Sequence, residues 1–277
     1  MSEAAIPEIP LSDVQASGDD RGLHIDRVGV RGLSYPITVL TRAGDVQTTV
    51  GEVSLSVSLP HHVRGTHMSR FIEVFERHRG EMTLRTFPSL LAEMREVLEA
   101  EAAETEVAFP YFLERAAPVT GKRALMDYQC AFRGRQGAEG DRFTVQVTVP
   151  VTTLCPCSKE VSDFGAHNQR GYVKVEILVR SFDSDELVWI EEIIEWVESC
   201  ASAPLYPLLK RPDERFVTMQ AYENPRFVED VVREVGLRIS GDCRIDWFHV
   251  AAENQESIHN HNAFAEIEWS RPGKDEQ

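Results

Sequence analysis

The sequence predicts an α+β protein made of two similar halves, with antiparallel sheets and helices on one face. Segments in which apolar and polar residues alternate, as in half-buried strands, flank segments with the 3.6-residue period of amphipathic helices. The order strands, two helices, strands occurs twice, which is the pattern of a duplicated unit. Strands and helices do not alternate one by one, so a parallel sheet of the Rossmann type is not predicted.

In the first half, the spacing of apolar residues changes clearly between the two-residue period of strands and the 3.6-residue period of helices. Its predicted strands are residues 36–42, 53–59, 124–132 and 143–149, the first two forming a hairpin. Its predicted helices are residues 68–75 and 87–98. In the second helix, for example, Leu90, Leu91 and Met94 fall on one face because helical neighbours are three or four residues apart.

The second half repeats the scheme. Its predicted strands are residues 173–179, 243–249 and 263–269, and its predicted helices are residues 187–197 and 227–235. In the first of these strands Val173, Val175 and Ile177 occupy one face and polar partners occupy the other, apart from Leu178.

The two ends of the chain differ from the rest. Residues 1–20 are rich in Ser, Pro and acidic residues without periodicity, so we expect a disordered lead, and we expect a flexible tail at residues 271–277. Between them we place a first module at residues 21–150 and a second at residues 151–270, which carries most of the chemically suggestive motifs.

Composition excludes several classes of function. The 45 acidic residues outnumber 29 basic ones and give a net charge of −16, which argues against binding to nucleic acids or anionic membranes. No apolar run approaches the roughly 18 residues of a membrane span, and the N-terminus lacks the features of a secretory signal. Five sparse cysteines favour a reducing cytoplasm over a disulfide framework.

A long connection between two predicted strands, residues 152–170, holds two thiols, an imidazole and two cations. Long connections in compact domains are usually functional or disordered. Thiolate and imidazole suit Zn²⁺ or Fe²⁺. The spacing from Cys155 to His167 matches no zinc finger, and neither a GxGxxG nor a GxxxxGK[ST] phosphate loop is present. An open metal site completed by distant residues and a nucleophile site are both compatible with this segment, as are an inert buried cysteine and a redox pair of Cys155 with Cys157.

A second polar segment, residues 253–262, lies between the last two predicted strands. His259 and His261 share a face if the backbone is extended, but they are equally compatible with a turn cap. On its own, Glu256 has the properties of a solvated carboxylate. The residues alone therefore leave the role of this segment open.

Together these segments resemble the type IB GTP cyclohydrolases, and the resemblance extends from about Val28 to Trp269. It is carried by LCPCSK at residues 154–159, GAHNQR at residues 165–170 and ESIHNH at residues 256–261. GTHMSR at residues 65–70 and KRPDE at residues 210–214 also resemble the family.

The resemblance implies a tunnelling fold of two ββααββ-like modules, assembled as a homotetramer with active sites between subunits. It implies conversion of GTP and water to 7,8-dihydroneopterin triphosphate and formate, the first step of pterin and tetrahydrofolate synthesis. It also implies a divalent metal ion, for which thiolate, imidazole and carboxylate ligands are compatible with Zn, Fe(II) or, less favourably, Mn.

The resemblance assigns roles residue by residue. The implied metal ligands are Cys155 and His167, completed by Glu214 and His259. The implied catalytic residues are Cys155, His167, His259 and His261. Glu256 is the implied purine anchor, and the candidate triphosphate-binding residues are Lys159, Arg170, Lys210 and Arg211. Cys157 is compatible with tuning Cys155, with proton transfer or with neither.

Two alternatives remain at this stage. A nitrile reductase of the same fold, with a cysteine nucleophile and NADPH, would also use a thiol paired with a histidine. A non-enzymatic assembly module would instead hold a fully coordinated, inert metal ion.

Overall fold

The computed structural model describes residues 13–15, 17–83, 85–180 and 187–272. Within these ranges the chain forms a nine-stranded antiparallel sheet and six helices. The strands are β1 Ile25–Leu40, β2 Val46–Leu59, β3 Ala103–Ala116, β4 Arg123–Gln136, β5 Arg142–Leu154, β6 Asn168–Val179, β7 Ala203–Pro204, β8 Ile245–Gln255 and β9 Ala263–Ser270. The helices are α1 Met68–His78, α2 Phe87–Val97, α3 Pro156–Val161, α4 Ile190–Cys200, α5 Arg211–Glu223 and α6 Val228–Ser240. The predicted α+β class with antiparallel strands is confirmed.

One sheet runs through both halves of the chain. Its order is β1-β2-β3-β4-β5-β6-β8-β9, with the short β7 paired to β5 outside this path. In the middle of this order β4 pairs with β5, from Arg135 opposite Arg142 to Gln129 opposite Thr148. The division placed at residues 150/151 falls inside β5, and the existence of two separable modules stays a prediction.

Strand periodicity determines which face carries the helices. Alternate residues are buried in β2 (Val53, Leu55) and in β6 (Val173, Val175). These side chains join those of α1, α2, α4 and α6 in one hydrophobic core, whereas residues between them are more exposed. The helix-free face carries ionic pairs instead, such as Arg133 with both Glu106 and Glu176.

Four elements were absent from the predicted set, namely β3, α5 and the short α3 and β7. In β3, the buried face includes the small or polar Ala103 and Thr105, and Pro110 lies in the middle of the strand, so the apolar alternation is weak. Helix α5 buries only Asp213 and Ala221, so it lacks an apolar stripe in the sequence. Helix α5 buries little that is apolar, so periodicity could not detect it. In β3 the buried Val107, Phe109 and Tyr111 alternate with residues such as Ala108 and Pro110 that are not charged or polar, so the alternation is hidden.

The predicted disordered lead and tail lie partly outside the described residues, namely at residues 1–12, 16 and 273–277. The described part of the lead lies along residues 62–65, where Gly65 N donates to Gln15 O (3.1 Å) and Asp19 N donates to His62 O (3.0 Å). At the other end, Arg271 donates to the carbonyl oxygen of Ile245. Among the described residues, no helix combines the length and apolarity needed to cross a membrane.

The buried carboxylate of Asp213 links the two halves at the start of α5. It accepts hydrogen bonds from the backbone N–H groups of Val119 and Thr120 (2.8 Å each), the Thr120 hydroxyl (2.7 Å) and Lys210 N (2.9 Å). The β3–β4 turn is thereby fixed to the N-terminus of α5. Burial raises the pKa of the Asp213 carboxyl, but the hydrogen bonds from Thr120, Lys210 and Val119 outweigh burial and lower the pKa to about 2.

We expect Asp213→Asn to lower the melting temperature at neutral pH, because the amide cannot accept all four bonds. A carboxyl whose folded-state pKa is depressed from 3.8 to about 2 stabilises the fold above pH 4 and loses that contribution as pH falls towards 2. The difference in melting temperature between wild type and variant should therefore shrink between pH 4 and pH 2. Glu223→Gln, at an exposed carboxylate on the same helix, serves as control, and an equal shift in that variant would contradict the role of Asp213.

Candidate active site

The sheet register brings Cys155 and His167 together. β5 ends at Leu154 and β6 begins at Asn168, and these two residues pair across the strands. One step further, Cys155 N donates to His167 O at 3.1 Å. The long connection seen in the sequence therefore begins and ends at a single backbone pair.

Ser158, in the first turn of α3, fixes both residues further. Its N–H points to Cys155 Sγ (3.4 Å), and its hydroxyl accepts from His167 N (3.2 Å). Pro156 occupies the first turn of α3, where its missing N–H costs no hydrogen bond. The LCPCSK sequence thus forms a tight turn whose own groups hold the thiol and the imidazole.

The loop between β8 and β9 adds a carboxylate and two imidazoles. β8 lies beside β6, with Arg170 opposite Gln255, so Glu256 emerges next to Gln169 and His167. Glu256 Oε2 is 3.9 Å from His167 Nδ1. The rings of His167 and His259 have centroids 6.4 Å apart and meet edge to face, while His259 and His261 stack at 5.1 Å.

One cavity of about 480 Å³ is lined by all five of these side chains, namely Cys155, His167, Glu256, His259 and His261. Its lining also includes residues absent from the sequence prediction, among them Gln169, Asn254, Arg226, Phe227 and Glu229. Two of these residues could have been predicted from strand alternation. Gln169 lies two residues from His167, and Asn254 lies two residues from Glu256, so each shares a face with a predicted site residue. No local pattern pointed to the residues that open α6.

Asn254 reaches the cavity because residue 171 is glycine. The side chain of Asn254 is only 3% exposed, and Gly171 lies opposite it on β6. A Cβ atom at residue 171 would come within 2.6 Å of Asn254 Oδ1. The glycine thus leaves room for a buried amide beside Glu256.

The candidate phosphate-binding residues lie elsewhere. Arg170 points to the other side of β6 and lines a second cavity of about 550 Å³ with Tyr172 and Tyr206. Lys210 and Arg211 are at the N-terminus of α5 and line neither cavity. None of these three cations lines the Cys155 cavity within the described residues of this chain.

Lys159 is engaged in a structural contact. Its Nζ donates to the carbonyl oxygen of Tyr222 at 2.6 Å and lies 4.4 Å from the centre of the Tyr222 ring. This carbonyl is in the last turn of α5, where carbonyls lack helical partners and favour a positive charge. Lys159 therefore joins α3 to the end of α5.

The proposed metal ligands are only partly assembled. Among the described residues, no three His, Cys, Asp or Glu side chains are close enough to hold a metal ion. Cys155 and His167 supply adjacent soft and borderline donors that fit Zn²⁺ or Fe²⁺. Glu214 is exposed on α5 and does not line the cavity. The four-ligand set stays a prediction.

Comparison with known proteins relates this site to a family. The model for the type I GTP cyclohydrolase FolE2 family matches residues 11–265. The GTP cyclohydrolase FolE2 of Syntrophotalea carbinolica is 49% identical over 259 residues, which are 94% of this chain and 95% of that protein. That of Syntrophus aciditrophicus is 51% identical over 258 residues, which are 93% of this chain and 99% of that protein. The chain belongs to this family.

Solved structures relate this chain to a wider fold. A uricase from Arthrobacter globiformis superimposes with a TM-score of 0.53 over 90% of this chain and 94% of its own, at 10% sequence identity. A uricase from Bacillus fastidious gives 0.54 over 91% and 94%, at 8% identity. At this level of identity the likeness concerns the fold alone, and it agrees with the predicted tunnelling fold.

We expect Lys159→Met to lower the free energy of unfolding by about 1 kcal/mol, because one hydrogen bond and one partly exposed cation–π contact are lost. Denaturant unfolding measures this loss. Lys122→Met removes a cation from an exposed position and should leave the stability unchanged. Equal stability of the Lys159 variant and wild type would show that the contact with Tyr222 contributes nothing.

Proposed function

We propose that this chain is a metal-dependent GTP cyclohydrolase that converts GTP and water to 7,8-dihydroneopterin triphosphate and formate. The observation that carries the proposal is the convergence of Cys155, His167, Glu256, His259 and His261 on one cavity in a member of the FolE2 family. The unpaired state of the five cysteines supports a reducing, cytoplasmic setting.

Cys155 and His167 would hold the metal ion, with Glu214 and His259 completing its ligands. Zn, Fe(II) and Mn are the candidates. When bound, such an ion lowers the pKa of water enough to supply a nucleophile at neutral pH. The remaining steps fall to side chains that bind the purine and move protons.

Glu256 suits the role of purine anchor. A carboxylate accepts two parallel hydrogen bonds, which match the N1–H and 2-amino groups at the edge of guanine. Its side chain is largely buried beside His167. Adenine lacks this donor pair and would leave a desolvated carboxylate unpaired, which penalises the wrong substrate.

His261, which stacks on His259 and is not among the proposed metal ligands, suits proton transfer. Opening the imidazole ring of guanine requires a proton at the departing nitrogen, and a histidine exchanges protons near neutral pH. Both rings line the same cavity as Glu256. A purine held by Glu256 would therefore lie within the part of the cavity that these rings border.

A homotetramer with interfacial active sites would complete the constellation. Large apolar side chains around the cavity are exposed in the subunit, including Phe164 (94%), Phe264 (73%) and Ile258 (66%). Clusters of exposed apolar side chains mark association surfaces. A neighbouring subunit would cover them and bring further groups to the site, and Lys210, Arg211 and Glu214 on the exposed start of α5 are the candidates.

We expect Cys155→Ala to reduce formate release from GTP by more than the roughly 10- to 100-fold typical of losing an outer-shell partner of a metal ligand. Elemental analysis of the same preparation should show reduced metal content, while size-exclusion chromatography shows intact assembly. Cys243→Ala, at an exposed cysteine that does not line the cavity, is the matched control. Full turnover by metal-free protein would contradict the proposal.

We expect Glu256→Gln to weaken guanine recognition by about 100-fold or more in kcat/KM, because an amide offers one acceptor where the carboxylate offers two. Metal content should change little. Glu229 is another carboxylate lining the cavity, so Glu229→Gln is measured in parallel. Loss of guanine selectivity in the Glu229 variant alone would transfer the anchor role to that residue.

A further inference from the structure

We propose that Gln169 is a positioning residue that fixes the tautomer of His167, with the proton on Nδ1 and the lone pair on Nε2. The proposal deepens the proposed function, because it concerns how one of its metal-binding side chains is prepared. It rests on a contact within the cavity that involves neither substrate nor metal.

The direction of the hydrogen bond follows from the atoms involved. His167 Nδ1 lies 3.0 Å from the carbonyl oxygen Oε1 of Gln169. The structure turns the amide oxygen towards the ring, and since an amide oxygen can only accept, the imidazole nitrogen carries the proton in this arrangement. The next polar atom on this side of the ring is also an oxygen, Glu256 Oε2 at 3.9 Å. Both neighbours of Nδ1 thus favour the same tautomer.

The sheet holds both partners of this hydrogen bond. Gln169 is 8% exposed and pairs with Thr153 on β5. The backbone of His167 is fixed on both sides, by the hydroxyl of Ser158 and by Cys155 N. His167 directly precedes β6, and its backbone bond to Cys155 continues the ladder, so its side chain shares a face with that of Gln169 two residues on. Little freedom remains for the ring to turn away.

The fixed tautomer determines what His167 offers to the cavity. A neutral imidazole with the proton on Nδ1 presents an unprotonated Nε2, the form in which histidine binds a metal ion. Outer hydrogen bonds of this kind orient metal-binding histidines and strengthen their binding. In this chain the acceptor is an uncharged amide. A carboxylate at residue 169 would place a further negative charge beside Glu256, in a cavity proposed to receive an anionic nucleotide.

The test is nitrogen NMR of the full-length protein labelled in its histidine rings, with the His167 signals assigned from a His167→Asn variant. In the metal-free wild type we expect a protonated Nδ1 and an unprotonated Nε2. Gln169→Met removes the acceptor at similar volume, and we expect the ring to populate the other tautomer. Gln169→Glu restores an acceptor and should restore the wild-type signature.

The matched control is Thr153→Val, at the residue paired with Gln169 on the adjacent strand. The buried Thr153 hydroxyl has no hydrogen-bond partner among the described residues, so valine changes packing without removing a bond. We expect the His167 signature to be unchanged in this variant. A shift of equal size would mean that the tautomer responds to packing alone, and the proposal would be wrong.

Zinc affinity provides a second measurement, made by competition with a chelator after metal removal. We expect Gln169→Met to bind zinc about 10- to 100-fold more weakly, with Gln169→Glu and Thr153→Val less affected. A wild-type ring with its proton on Nε2, or an unaltered tautomer and affinity in Gln169→Met, would overturn the proposal. Neither measurement uses GTP, so absence of GTP turnover alone would count against the proposed function and not against this role of Gln169.

Discussion

The hydrogen-bond register of the sheet is the constraint on which the rest of the molecule depends. It carries one row of apolar side chains across seven strands, in which each residue pairs with the next, from the first half of the chain into the second. From β2 to β9 the row consists of Val53, Val107, Phe132, Val145, Ile177, Phe248 and Trp269. A slip of one residue at any strand pair would turn the remaining side chains to the helix-free face. The burial of this face therefore selects the register, and the register in turn determines which residues meet at the ends of the strands.

The cavity that contains Cys155 lies at the ends of β5, β6 and β8, beyond the last apolar pairs of these strands. Between β5, β6 and β8, the row containing Val151 and Gly171 ends in the amide of Asn254, and the next position on β6 is Gln169. Cys155, His167 and Glu256 then emerge from adjacent strand ends. Residues about a hundred positions apart in sequence thus become neighbours without a dedicated loop to bring them together. Because the sheet backbone is rigid, groups at strand ends are placed more accurately than groups on free loops.

The sequence was informative where burial is apolar and regular. Strands such as β2 and β6 and helices such as α2 and α6 followed from their periods, since alternate or helical spacing of Val, Leu and Ile is the physical cause of their burial. β3 and α5 did not, because the buried Val107, Phe109 and Tyr111 of β3 alternate with residues that are apolar as well, and α5 is held largely by hydrogen bonds to Asp213. At the site, motifs identified Cys155, His167 and Glu256, but spacing gave no distance between them, because that distance depends on strand pairing far from either motif. Lys159 lies in the LCPCSK motif and was a candidate for binding phosphate, but its ammonium group contacts a carbonyl of α5. Only the position of α5 in the fold could reveal this contact.

The backbone hydrogen bond between Cys155 and His167 also makes the position of these two side chains independent of the length of the loop that connects them. Ser158 and the first turn of α3 hold the pair, whereas the far part of the loop, with Val161 and Phe164, projects outwards. Lengthening a flexible loop costs only about 0.6 kcal/mol for each doubling. Insertions at residues 162–166 should therefore cost little stability while the thiol and the imidazole stay in place. Variation in loop length here would alter what a neighbouring molecule touches without altering the reactive pair, so the site can be adapted to new surroundings by evolution without being rebuilt.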